Sequence, residues 1–100
     1  MWWLNENEEK IIGPFYEFVF KNESKIFKFE LNDGAIVKVK FDTEAESDNN
    51  LELSDEGYEE YREAYFKIVE VIKDDTNKYR EGDLIAINYH CLPNCYSVLN

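Results

Sequence analysis

The chain has 100 residues and a formal net charge of −11, from 22 acidic and 11 basic side chains. This length indicates a single domain, residues 1–100, that can bury a hydrophobic core without a metal ion or disulfides. The acidic balance argues against a nucleic-acid-binding protein, because such proteins neutralise phosphates with basic patches. A hydrophobic content of 44% excludes a disordered acidic tail.

The apolar runs of the sequence are short. None is long enough to predict a membrane-spanning helix. No signal peptide is visible at the start of the chain. We therefore expect a cytoplasmic protein whose cysteines are reduced.

The negative charge is concentrated in one segment. Residues 42–63 hold ten acidic side chains and one basic side chain, a net charge of −9. Residues 1–41 and residues 64–100 each have a net charge of −1. The segment is therefore the candidate functional feature of the chain.

Three segments with alternating hydrophobicity predict an antiparallel β-meander over residues 15–42. The apolar Ile11-Ile12 pair is followed by Gly13-Pro14, which indicates a turn before the first strand. The strands are predicted at 15–21, 25–31 and 35–42. Asp33-Gly34 indicates a tight hairpin between the second and third strands, because this pair tolerates a positive φ.

The second half of the chain predicts one helix and one further strand. Residues 43–53 are predicted as a polar loop, and Ser54 is a suitable N-cap. Apolar residues then recur at helical spacing, which predicts an amphipathic helix over about 54–73 packed on the sheet. A last strand is predicted at 84–89. The tail over 90–100 contains Pro93 and is predicted to be irregular, with a short extended end as the alternative. The order of elements gives an α+β fold class.

The same patterns predict a core of aromatic and aliphatic side chains from the meander, the helix and the last strand. These are Tyr16, Phe18, Phe20, Phe27, Phe29, Leu31, Val37, Val39, Phe41, Tyr61, Tyr65, Ile68, Ile72, Ile85 and Ile87.

No group of residues in the sequence forms a recognisable catalytic or metal-binding motif. His90, Cys91 and Cys95 could supply three zinc ligands, but a structural site needs four, and the chain has no other histidine or cysteine. The alternating acids of 42–48 lack the central glycine of a calcium loop. We therefore predict no catalytic residues, no metal and no cofactor, and the protein is not expected to be an enzyme.

Three stretches carry a resemblance to a known class of proteins. They are 41–49 (Phe-Asp-Thr-Glu-Ala-Glu-Ser-Asp-Asn), the acidic tyrosine-rich segment that follows, and 82–90 (Gly-Asp-Leu-Ile-Ala-Ile-Asn-Tyr-His). With them the chain resembles small uncharacterised acidic α+β proteins of low-GC Gram-positive bacteria, and proteins of this build are similar to the immunity proteins of bacterial toxin systems. The likeness covers residues 15–90 and implies a non-catalytic inhibitor of a toxin.

The acidic segment favours a protein that neutralises a basic protein partner, such as a toxin, through a loop–helix surface. One alternative is a nucleic-acid-mimicking inhibitor of a defence or nucleic-acid-binding protein. Another is a small protein in which the charge only keeps the surface solvated. No direct contact with nucleic acid or a membrane is expected. The predicted partner-binding residues are Glu44, Glu46, Asp48, Glu52, Asp55, Glu56, Glu59, Glu60 and Glu63.

Overall fold

One helix and five strands follow one another in the computed structural model, which describes residues 6–22, 24–48, 56 and 60–99. The bounds are α1 Glu6–Lys21, β1 Ile26–Glu30, β2 Ile36–Asp48, β3 Glu60–Lys73, β4 Leu84–Ile87 and β5 Cys95–Val98. The strands form one antiparallel sheet in the order β4-β3-β2-β1-β5. Helix α1 packs on one face of this sheet, and the α+β class is confirmed.

The helix lies in a part of the chain for which the sequence predicted a turn and a strand. Its buried side chains follow helical spacing, at Glu8, Ile12, Phe15, Tyr16 and Val19. This stripe crosses Pro14, where the missing N–H costs the helix one hydrogen bond. The strand predicted over 15–21 is therefore wrong. Packing of the apolar stripe on the sheet outweighs both the proline and the alternation of aromatic residues after it.

The hairpin between β1 and β2 was predicted correctly. Gly34 has a φ of 89°, which glycine adopts without strain. The side chain of Asp33 accepts a hydrogen bond from the backbone N–H of Ala35 at 3.1 Å. The strands predicted over 25–31 and 35–42 are confirmed as β1 and β2. Strand β2 continues to Asp48, so the polar loop predicted from residue 43 begins later than expected.

The helix predicted over about 54–73 is wrong, because residues 60–73 form β3. Every second side chain at Ala64, Phe66 and Ile68 is buried, which is the period of a strand. β3 pairs with β2 along almost its whole length, through twelve register positions between Ile36↔Lys73 and Asp48↔Glu60. Its tyrosine, phenylalanine, isoleucine and valine residues also have high β-propensity. The proposed N-cap Ser54 lies outside the described residues.

The last two strands, β4 and β5, are the two edge strands of the sheet. The strand predicted over 84–89 is confirmed as β4, which pairs with β3 from Ala64↔Ile87 to Lys67↔Leu84. Strands β1 to β4 thus form a meander in chain order. The tail ends in the short extended segment given as the alternative, because β5 returns to pair with β1.

Most of the predicted core is confirmed, although the elements that deliver it differ. Eight of the predicted residues are buried: Tyr16, Phe27, Phe29, Leu31, Val37, Val39, Ile68 and Ile87. Phe18, Phe20, Phe41, Tyr61 and Ile85 pack against them as partly buried residues. Tyr65 is half-buried and Ile72 is exposed, so Ile72 was assigned wrongly. The sequence missed Ile12, Phe15, Val19, Ala35, Ala64, Phe66 and Tyr89.

Tyr79 ties the connection between β3 and β4 to the β1–β2 hairpin. Its hydroxyl donates a hydrogen bond to Asp33 at 2.8 Å, and its backbone N–H donates to the carboxylate of Asp74 at 2.7 Å. Burial, followed by the hydrogen bond to Asp33, raises the pKa of Tyr79 to about 12. The folded state therefore holds the phenolic proton more tightly than the unfolded chain, whose tyrosine pKa is about 10.

We expect this tie to make stability depend on pH under alkaline conditions. Because the folded pKa is raised, the contribution of Tyr79 is fully present below pH 10 and is lost as the pH rises from 10 to about 12. Tyr79→Phe should lower the free energy of unfolding at pH 8 and flatten its decline over that window. Denaturant titrations at several pH values check this. An unchanged slope in the variant would show that Tyr79 does not couple folding to this proton.

Candidate functional site

The acidic residues that the sequence singled out lie largely on a two-stranded extension of the sheet. β1 pairs with β2 only over 36–40, and β4 pairs with β3 only over 64–67. Residues 42–48 and 60–63 therefore extend beyond both flanking strands, and we call them the acidic ribbon. The ribbon carries six acidic side chains and one basic side chain, Arg62.

The structure brings five of the nine predicted partner-binding residues onto this ribbon. Glu44, Glu46 and Asp48 belong to β2, and Glu60 and Glu63 belong to β3. They are held by strand pairing, so the predicted loop–helix surface is replaced by a β-hairpin surface. Glu56 is exposed in the segment that joins the two strands. Glu52, Asp55 and Glu59 lie outside the described residues.

The acids of the ribbon point to both faces of the sheet. Glu44 lies opposite Ala64 and Glu46 lies opposite Arg62. These positions are on the α1 side, because Ala64 belongs to the core under the helix. Glu63 follows the other parity and lies on the opposite face of the sheet, which we call the outer face. A partner approaching the ribbon from either side therefore meets carboxylates.

Two side chains of α1 hold the ribbon where β4 no longer pairs with β3. The buried carboxylate of Glu8 accepts a hydrogen bond from the backbone N–H of Arg62. The hydroxyl of Tyr16 donates to the carbonyl oxygen of Arg62 at 2.9 Å. Burial, followed by the charge of Glu8, raises the pKa of Tyr16 well above its usual range, so the hydroxyl stays protonated as a donor. The two side chains bond both backbone groups of Arg62, as a further strand would do.

The carboxylate of Glu63 is fixed by two neighbours on the outer face. The hydroxyl of Tyr65 donates to Oε1 at 2.6 Å, and the side-chain amide of Asn88 donates to Oε2 at 2.8 Å. The hydrogen bond to Glu63 raises the pKa of Tyr65 above its ordinary value. Glu63 is therefore a preorganised negative charge, unlike the exposed carboxylates of the ribbon.

Three rings pack together in a cluster that includes Tyr61 of the ribbon. The centroids of Tyr61 and Tyr89 are 5.8 Å apart, those of Tyr61 and His90 are 5.3 Å apart, and those of Tyr89 and His90 are 4.0 Å apart. Asn88 joins the rings to Glu63, because its side-chain oxygen accepts a hydrogen bond from the backbone N–H of His90 at 2.8 Å. The sequence analysis did not predict Tyr61, Tyr65, Asn88 or Tyr89 as site residues.

The part of the outer face that adjoins the ribbon along the strands carries several basic side chains. Lys28 lies opposite Lys38 in the β1–β2 register, and Lys40 lies opposite Lys67 in the β2–β3 register. Directly opposed residues share a face, so the four lysines form one basic band across three strands. Only Lys38 is paired in the described residues of this band, with Glu70 at 3.3 Å. The outer face thus carries basic side chains next to the acidic ribbon.

The candidate zinc ligands His90, Cys91 and Cys95 do not form a cluster of ligands in the structure. Cys91 and Cys95 are exposed free thiols, and the ring of His90 packs against tyrosines. Among the residues that the structure describes, no three histidine, cysteine, aspartate or glutamate side chains are placed to hold a metal ion. In the same residues, no helix has the length and apolar character needed to cross a membrane.

One known protein family matches most of the chain. The family model described as cognate immunity protein YxxD matches residues 7–91. The chain belongs to this family. The cognate immunity proteins are the class that the sequence resemblance indicated, and the match extends that resemblance from residue 15 back to residue 7. It therefore includes helix α1 and both strands of the acidic ribbon. No curated protein and no solved structure shows a significant match.

Membership of this family makes the chain an immunity-type protein of a toxin system. The resemblance to immunity proteins is thereby confirmed.

Proposed function

We propose that the chain inhibits a cationic toxin by binding it through the acidic ribbon. The supporting observation is that a member of an immunity family carries six acids and one base on a two-stranded extension beyond the flanking strands. A toxin that acts on nucleic acid needs a basic surface for its substrate. The ribbon has the shape and charge to cover such a surface.

The distribution of charge adds an orienting effect. The acidic ribbon and the basic band lie at different positions along the strands. The basic band consists of Lys28, Lys38, Lys40 and Lys67. A basic partner is attracted to the ribbon and repelled by the band, so its approach is steered to one end of the sheet. Steering of this kind raises the association rate more than it raises the intrinsic affinity.

We infer that inhibition requires binding alone and that the protein acts in the cytoplasm. In the described residues, Glu63 and His90 are held by tyrosine and asparagine neighbours in a surface cluster. This arrangement supplies no nucleophile activated by a base.

Mimicry of nucleic acid loses its geometric basis. The helix predicted over about 54–73 would have carried a regular row of carboxylates, about one charge per 2.4 Å of helix rise, which resembles the charge spacing of a nucleic acid. Residues 60–63 instead belong to a strand. Side chains in a strand alternate between faces, so Glu60 and Glu63 do not form one continuous row of charge.

Charge reversal on the ribbon tests the proposal. Glu46 and Glu56 are both exposed, and no described side chain is bonded to either in the structure. The double variant Glu46→Lys, Glu56→Lys should weaken binding to the cognate toxin by about tenfold or more, because like charges would face each other across the interface. Isothermal titration calorimetry at low and physiological ionic strength measures the loss. The affinity of the unmodified chain should fall as salt rises, since screening shortens to about 8 Å at 0.15 M.

The matched control carries the same change in net charge at another place. Glu17 lies on α1 and Glu81 lies in the turn before β4, and both are exposed. Glu17→Lys, Glu81→Lys should leave toxin affinity within about threefold, because distant surface charges are screened at physiological ionic strength. Equal losses in the two double variants would overturn the proposed role of the ribbon and leave only a general effect of net charge.

A further inference from the structure

We propose that Tyr61, Glu63 and His90, backed by the buried ring of Tyr89, form a receptor for one arginine side chain of the partner. In this receptor the Glu63 carboxylate binds the guanidinium group and the rings pack against it. The inference rests on the proposed function for the nature of the partner, a basic toxin. It goes further by naming the contact that a single partner residue makes on the outer face of the ribbon.

The hydrogen bonds of Glu63 leave room for a ligand. Tyr65 and Asn88 each bond a different carboxylate oxygen, at 2.6 and 2.8 Å. An ionised carboxylate has about four acceptor positions, so each oxygen keeps one position for a further donor. Tyr65 and Asn88 are neutral, and in the part of the chain that the structure describes no lysine or arginine forms an ion pair with Glu63. They fix the direction of the carboxylate, so a ligand does not have to order it on binding.

The rings supply the second element of the receptor. Tyr61 contacts both Tyr89 and His90, with centroid separations of 5.8 and 5.3 Å. Tyr61 and Glu63 share the outer face, because they are two residues apart on β3. A cation bound at Glu63 therefore lies beside aromatic rings, where the electrostatic attraction to a ring face adds to the ion pair.

The neighbouring strand β2 does not cover Tyr61 or Glu63, which are both half-buried. Thr43, Ala45 and Ser47 lie opposite Tyr65, Glu63 and Tyr61. These β2 residues have short side chains, so β2 does not cover the larger groups on β3. On the other side, β4 ends its pairing at Ile87, and the turn over 88–91 places Asn88 against Glu63.

The chemistry of the cluster fits arginine better than lysine. A guanidinium is planar, donates two parallel N–H bonds to a carboxylate and stacks on aromatic rings. A lysine ammonium is a compact, strongly hydrated charge without a plane that matches the rings. Glu63 offers one acceptor position on each oxygen, which suits a donor with two parallel N–H groups.

A capped Gly-Arg-Gly peptide tests the receptor without the toxin. Titrated into the full-length chain and followed by NMR, it should shift the signals of Tyr61, Glu63, Tyr89 and His90. The matching peptide with citrulline, which keeps the shape but lacks the charge, should leave them in place. Gly-Lys-Gly should bind more weakly than Gly-Arg-Gly. Glu63→Gln should weaken arginine-peptide binding by about tenfold, because a charge-assisted pair becomes a neutral one.

The matched control is Glu70→Gln, which removes the same charge from the same strand and the outer face at a half-exposed ion pair. It should keep the response to the arginine peptide. Tyr61→Leu, which leaves the bonds of Glu63 in place, should reduce the response several-fold. Equal effects of Glu63→Gln and Glu70→Gln, equal responses to the arginine and citrulline peptides, or no response at all would overturn the receptor. The ribbon reversal is measured with the toxin, so the two proposals can fail separately.

Discussion

Replacing Phe66 by alanine is expected to lower the free energy of unfolding by about 3–5 kcal/mol. Phe66 is fully buried at the centre of the sheet. Its ring makes edge-to-face contacts with Phe15, Phe27, Phe29 and Phe41, at centroid separations between 4.9 and 6.2 Å. Alanine would leave a cavity between the helix and the sheet, and the loss includes both the apolar transfer free energy and these ring contacts. Denaturant-induced unfolding measures the effect.

Ile72 provides the control on the same strand. Its side chain is 44% exposed, so Ile72→Ala should change the free energy of unfolding by no more than about 0.5–1 kcal/mol. A helix over 54–73 would have placed Ile72 at the middle of the buried face. If Ile72→Ala proved as damaging as Phe66→Ala, the strand assignment of this segment would be wrong.

Glu8→Ala is the second substitution for which we expect a large effect. Glu8 is fully buried, and its carboxylate accepts the hydrogen bond of the Arg62 backbone N–H. Alanine would leave that N–H without its acceptor, 54 residues away in the chain. A buried donor that loses its partner costs about 1–3 kcal/mol, to which the loss of buried methylene groups is added. Glu8→Gln should cost less, because the amide oxygen can still accept.

Glu9→Ala is the control for Glu8. Glu9 is the next residue on the helix and is exposed, so its replacement should change stability by no more than about 0.5 kcal/mol. Hydrogen exchange at the Arg62 amide adds a local measurement, since it should accelerate in Glu8→Ala. Similar stabilities for the two alanine variants would show that Glu8 does not anchor the ribbon.

The sequence predicted β1, β2 and β4, and it missed β3, although β3 also pairs with its neighbours in the chain. β1 and β2 are joined by a hairpin with Asp33-Gly34, and the alternation on both sides is regular. β3 was mistaken for a helix because Tyr61, Tyr65, Ile68 and Ile72 recur every three or four residues. Those four positions also match one face of a helix. Pairing with β2 favours the strand period over the helical period. The paired residues of β2 and β3 are up to 37 residues apart in the chain, so a local pattern does not reveal this pairing.

The helix was missed for the complementary reason. Tyr16, Phe18 and Phe20 alternate as in a strand, and Gly13-Pro14 indicates a turn. Ile12, Phe15, Tyr16 and Val19 repeat at helical spacing, but the stripe begins at Glu8, and no local rule predicts a buried glutamate. Its acceptor role depends on Arg62, whose backbone is presented by β3.

The candidate site was predictable in charge but not in geometry. The excess of acids in 42–63 follows from composition alone. The distinction between exposed carboxylates and the fixed carboxylate of Glu63 depends on Asn88, 25 residues further along the chain. One signal was present: in a strand, Tyr61, Glu63 and Tyr65 share a face. It could not be used while the segment was interpreted as a helix.

The most direct test of the binding surface is an NMR map of the complex. Backbone amide signals of the isotope-labelled chain are compared with and without the unlabelled cognate toxin. We expect the largest changes in the ribbon, over 42–48 and 60–65, and in the adjoining turn over 88–91. Changes confined to helix α1, to β5 or to the basic band of lysines would contradict binding through the acidic ribbon.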